Sequence, residues 1–112
     1  MDKMKKRFRM PKKINIGDIT YEVKKEKKLD TFLGGLFKTT IGMIDYNKKK
    51  ILLLKRHQKQ RNTFFHEVSH GIMGKLGDRY PKAKELNDNE TFIDKMGSML
   101  DKTFSSLMKE MK

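Results

Sequence analysis

The sequence predicts an α+β domain: a small antiparallel sheet of three to four strands, followed by two helices. Three observations predict it. Polar and apolar residues alternate over residues 14–23, and β-branched or aromatic runs continue to residue 54. From Gln58 the apolar period becomes helical. The charge changes at nearly the same place: residues 1–61 hold 19 basic and 6 acidic side chains, whereas residues 62–112 hold 8 of each.

Residues 1–12 read as a disordered basic arm ending at Pro11, and residues 13–112 as a single domain. Ile14 and Ile16, then Gly17-Asp18, then Ile19, Tyr21 and Val23 spell a strand, a tight turn and a second strand. Residues 29–35 read as a loop or short helix, with Gly34-Gly35 as a breaker. Leu36 to Tyr46 is rich in strand formers, Asn47-Lys48 suits a hairpin turn, and Lys50 to Leu54 is a buried strand. The first helix is expected from Gln58 to Leu76, with Gly77 as its stop. A loop with Pro81 follows. The last helix begins near Asn87-Asp88, either of which suits an N-cap, and Glu90 falls in its first turn. The methionines of that helix, Met96, Met99, Met108 and Met111, are expected to fill gaps in the core.

The net charge of +13 over 112 residues first suggests a polyanionic partner. All of the excess lies in residues 1–61, where it also suits solubility and protected strand edges. There is no Cys, which excludes disulfides, iron–sulfur clusters and thiolate metal sites. No apolar run approaches the ~20 residues of a membrane span, and the basic N-terminus leads into no signal-like apolar segment, so a cytoplasmic location is expected.

The neutral half carries the chemistry. His66-Glu67-Val68-Ser69-His70 lies within the first expected helix. Histidines at i and i+4 are one turn apart, about 6 Å along the axis, and project from one face. That spacing lets both imidazoles reach one tetrahedral zinc, with Glu67 beside them to hold a water. The apolar residues Phe65, Val68, Ile72 and Leu76 fall on the opposite side, while Gly71 and Gly74 flank the polar face and leave room there for a ligand. A third ligand is required. It must be His57 or a carboxylate among Asp78, Glu85, Asp88, Glu90, Asp94 and Asp101. On the last helix Glu90, Asp94 and Asp101 share a face around Gly97, and stacked carboxylates repel unless a cation offsets them. Glu90 is therefore assigned as the ligand, and Asp94, one turn on, as the acceptor of a ligand histidine's spare N–H.

These residues resemble a known pattern. His66-Glu67-Val68-Ser69-His70 followed by Asn89-Glu90-Thr91-Phe92-Ile93-Asp94 is similar to the HExxH…NExxxD motif of the gluzincins. The strand hairpin, active-site helix and C-terminal helix resemble the smallest zincins, including ImmA/IrrE-type metallopeptidases and short phage-encoded zincins. The resemblance implies a minimal zincin-like fold and a bacterial or phage-infected host cell. It also implies one zinc per chain on His66, His70 and Glu90, with Glu67 as general base and Asp94 behind a histidine. Neither the C-terminal domain nor the additional histidine of the large gluzincins is matched.

The expected activity is peptide-bond hydrolysis by a zinc-activated water. Tyr80, or else His57, is the candidate donor to the oxyanion. The expected partner is a protein or peptide substrate, with docking of nucleic acid or an acidic protein through the basic half. The alternative is a basic nucleic-acid- or partner-binding protein whose zinc site is structural or non-catalytic.

Overall fold

The computed structural model describes residues 8–33, 36–39, 41–55 and 58–111. Strands β1 (Lys13–Ile16), β2 (Ile19–Glu26), β3 (Asp30–Leu33), β4 (Leu36–Thr39), β5 (Gly42–Asp45) and β6 (Lys50–Leu54) precede helices α1 (Gln60–Gly77), α2 (Pro81–Asn87) and α3 (Glu90–Glu110). The class is α+β, as expected.

The β1–β2 hairpin turns where the sequence places it. Gly17 sits at φ 64°, a left-handed conformation open to glycine at little cost. Lys75 near the end of α1 reaches Asp18 at 3.1 Å and ties this turn to the helix. The second expected hairpin also forms, between β5 and β6. There Asp45 Oδ1 accepts from the backbone N–H groups of Asn47 and Lys48, and Lys49 takes φ 57°.

The main sheet has the order β1-β2-β6-β5 and is mixed rather than wholly antiparallel, because β2 pairs with β6 in parallel. A parallel pair needs a crossover. Residues 27–49 provide it and carry β5 together with the separate β3–β4 hairpin, where a loop or short helix was expected over residues 29–35. With a partner on each side, β6 is central, and Ile51 and Leu53 are fully buried. They meet Ile16, Tyr21 and Val23 from the sheet, and Phe64, Phe65 and Val68 from α1.

The arm expected over residues 1–12 divides. Residues 1–7 lie outside the described residues. Phe8 and Met10 pack on the core, and the Lys12 carbonyl accepts from Val23 N–H. An aromatic anchor explains the order at Phe8: its ring lies 5.7–6.0 Å from those of Phe64, Phe65 and Phe104, and the Arg61 guanidinium stacks on it at 4.7 Å.

The expected loop around Pro81 contains a helix. Pro81 occupies the first turn of α2, where its missing N–H costs nothing, and Ala83 is buried. This seven-residue helix shows too little apolar periodicity to be read in advance. Helix α3 starts one or two residues later than expected: Asn89, not Asn87 or Asp88, is the N-cap and accepts from Phe92 N–H at 3.0 Å.

Helices α1 and α3 cross closely at Gly97, where a Cβ would lie 3.1–3.2 Å from backbone atoms of Phe65 and His66. Gly97→Val should therefore cost roughly 2 kcal/mol or more in urea unfolding, because backbone cannot yield as a side chain does. Stability at or above that of the wild type would contradict this packing. Beyond Ser105, which receives Arg61 at the start of α1, helix α3 outruns its partner. Met111 is accordingly exposed rather than a core residue, and Met99, on the outer side of α3, is exposed too. Among the described residues no helix is long and apolar enough to cross a membrane.

Candidate metal centre

Helix α1 brings Glu67 and His70 to a cleft between β5 and the α2–α3 junction, and His66 meets Glu90 at its margin. The cleft has a volume of about 400 Å³, and its lining includes Gly42, Ile44, Tyr46, Glu67, His70 and Glu90. The two imidazoles turn their Nε2 atoms toward one carboxylate. His66 Nε2 lies 3.0 Å from Glu90 Oε1, and His70 Nε2 lies 3.1 Å from Glu90 Oε2. The ligand atoms of these three residues all fall within 4.8 Å of one another, so the group is able to hold a metal ion.

The opposite ring nitrogens explain this orientation. His66 Nδ1 meets Asp94 Oδ1 at 2.6 Å, and His70 Nδ1 donates to Asn87 Oδ1 at 2.7 Å. The Asn87 amide is itself oriented, because its Nδ2 donates to Tyr46 Oη at 3.3 Å. Tyr46 Oη in turn donates to the His70 carbonyl at 3.0 Å. With Nδ1–H engaged, an imidazole without a second proton presents its Nε2 lone pair to a carboxylate oxygen. That arrangement is repulsive unless a proton or a cation lies between them, and a metal cation satisfies all three groups at once.

Glu67 lines the same cleft but is buried, only 7% exposed. Gly42 makes its space, since a Cβ there would lie 2.3 Å from Thr63 Cγ2 and 3.6 Å from Glu67 Oε2. Burial pushes the Glu67 carboxyl up to about 7; His70 draws it down and Glu90 adds to the rise. Burial likewise raises the Tyr46 hydroxyl above its ordinary value. Asn87 opposes this through its hydrogen bond, and the charges of Glu67 and Asp88 add to it.

The structure thus brings together His66, His70 and Glu90, with Asp94 behind His66. It does not bring Tyr80 to the cleft: that residue precedes α2 as its N-cap and is 55% exposed. His57 lies outside the described residues. Asp101 is taken by Arg61 at 2.6 Å. Gly71 and Gly74 leave room for Ile16, Ile44 and Tyr46 rather than for a ligand. Two contributors escaped the sequence reading. Asn87 was considered only as a cap, and Tyr46 only as the end of a strand.

If Asp94 and Asn87 hold the rings as described, Asp94→Ala and Asn87→Ala should each weaken metal binding about 10–100-fold while the far-UV spectrum stays unchanged. Chelator competition measures this, and unchanged affinity in both variants would remove the proposed support. No protein-family model, curated protein or solved structure matches the chain.

Proposed function

We propose that the chain is a zinc-dependent metallopeptidase of the gluzincin type. One observation carries the reading: two histidines one helical turn apart converge on both oxygens of Glu90, beside the buried carboxylate of Glu67 in the same cleft. The donor set suits zinc. Bonds of about 2.0–2.1 Å in tetrahedral geometry place ligand atoms about 3.3 Å apart. The 3.0 and 3.1 Å separations here need only a small expansion. Two imidazoles and one carboxylate also leave a coordination position open, which distinguishes catalytic from structural sites.

Zinc bound there would supply Lewis acidity to the scissile carbonyl and lower the pKa of a water to about 7. Glu67 accepts the proton of the attacking water and hands it to the leaving amine. Its raised affinity for protons suits that exchange near neutral pH. Asp94 and Asn87 keep Nδ1 protonated and Nε2 available on the two rings. Among the described residues β5 lies at the edge of the main sheet beside the cleft, with β6 as its neighbour, and an edge strand there suits addition of an extended peptide. Strand β6, which leads toward α1, has no free edge for that purpose.

The test combines metal analysis with a cleavage assay. Purified protein should carry about one zinc per chain. Proteomic comparison of cells expressing wild type or Glu67→Gln should then find peptide ends made only by the wild type. Chelator-insensitive cleavage, or zinc content unaffected by His70→Ala, would overturn the reading. A nucleic-acid-binding role, favoured by the charge of residues 1–61, predicts salt-dependent DNA or RNA binding that survives chelation.

A further inference from the structure

The cleft is chemically unlike the rest of the molecule. The chain carries a net charge of +13, yet among the described residues the cleft lining includes Glu67, Asp88 and Glu90 and no Lys or Arg. Two of these carboxylates have roles in the proposed reaction. The third, Asp88, does not. It stands at the C-terminal end of α2, next to Asn87 and two residues before Glu90, and is exposed. Among the described residues its carboxylate enters no ion pair, while Lys82–Glu85 and Arg61–Asp101 show such pairs forming elsewhere on the helices. The lining near β5 is instead apolar, contributed by Met43 and Ile44.

We infer that Asp88 is a specificity-determining residue of this cleft, selecting peptides with Lys or Arg close to the scissile bond. The inference rests on the peptidase reading. A metal ion held by His66, His70 and Glu90 would offset the charges of Glu67 and Glu90, whereas Asp88, lining the same cleft with no ion-pair partner among the described residues, would be left to face substrate. A long cationic side chain can lay its methylenes along an apolar wall and set its charge against a carboxylate. An acidic side chain at the same place meets Asp88 as a like charge, which sets specificity by repulsion as well as attraction.

The test uses zinc-loaded protein and matched fluorogenic peptides that differ only in Lys, norleucine or Glu, scanned over the positions flanking the cleaved bond. At one position the order of kcat/KM should be Lys, then norleucine, then Glu. Asp88→Asn should reduce the Lys-to-norleucine ratio about fivefold, and Asp88→Lys should raise Glu above Lys. Equal ratios in wild type and both variants would overturn the inference. If zinc-loaded protein cleaves no peptide, the peptidase reading fails. Binding of the same peptides to Glu67→Gln protein, read by fluorescence anisotropy, then decides the role of Asp88 alone. Tighter binding of the Lys peptide that is lost in Asp88→Lys upholds it, and equal binding of all three peptides overturns it.

Discussion

Glu67→Gln is expected to lower peptide hydrolysis by a factor of about 10²–10⁴ without releasing the metal. The size follows from the proposed role. A general base contributes its factor by taking a proton as the nucleophile attacks, and an amide cannot take one. The specificity of the effect follows from the geometry. Gln matches Glu in volume, so the pocket of Gly42 and Thr63 stays filled, and the three candidate ligands are untouched. His70→Ala should behave differently, losing metal and activity together, because it removes a ligand and leaves Glu90 facing one imidazole. Metal content and single-turnover cleavage on the same preparations separate the two cases. If Glu67→Gln cleaves within tenfold of wild type, Glu67 is not the base. If it loses its metal, the group acts through the site's structure rather than through proton transfer.

The parts of the centre that were legible in the sequence are those set by helix geometry. His66 and His70 face one way because one turn separates them, and Asp94 stands one turn beyond Glu90 for the same reason. The meeting of Glu90 with the two histidines was legible because carboxylates sharing a helix face call for a counter-charge. Local rules failed where two of them competed for one residue. Asn87 is a good N-cap by type, but Asn89 takes that place and leaves Asn87 for His70. Proximity in sequence also misled: Tyr80 closely follows α1 yet faces away, whereas Tyr46 reaches the His70 carbonyl from 24 residues upstream. That approach depends on β5 being the sheet edge beside α1. The edge position depends in turn on the parallel pairing of β2 with β6. Alternation identifies a strand and its buried face, but it carries no information about which neighbour the strand takes.

The metal-free protein is expected to lose stability as pH rises from about 4.5 to about 7, and Glu67→Gln is expected to remove most of that loss. In the unfolded chain Glu67 returns to an ordinary value near 4.5, whereas burial raises it to about 7 in the folded protein. Between those values the folded state binds more protons than the unfolded state. Stability therefore falls as pH increases through that window, the reverse of the usual behaviour of a salt-bridged carboxylate. A difference of this size corresponds to about 3 kcal/mol, fully expressed above pH 7 and absent below about pH 4. At pH 8 the metal-free variant should melt roughly 10 °C above metal-free wild type, and the two should approach one another near pH 4.5. Metal should reverse the sequence of events in the wild type. A cation beside Glu67 favours its ionised form, so binding near neutral pH should release a proton that the Gln variant cannot release. Calorimetry in two buffers of different ionisation enthalpy reads that proton directly. A variant that gains no stability at pH 8, or that releases as many protons as the wild type, would mean that Glu67 is already ionised in the metal-free fold. Its burial would then be offset by partners other than the metal, and the same carboxylate could no longer link folding, metal binding and proton transfer.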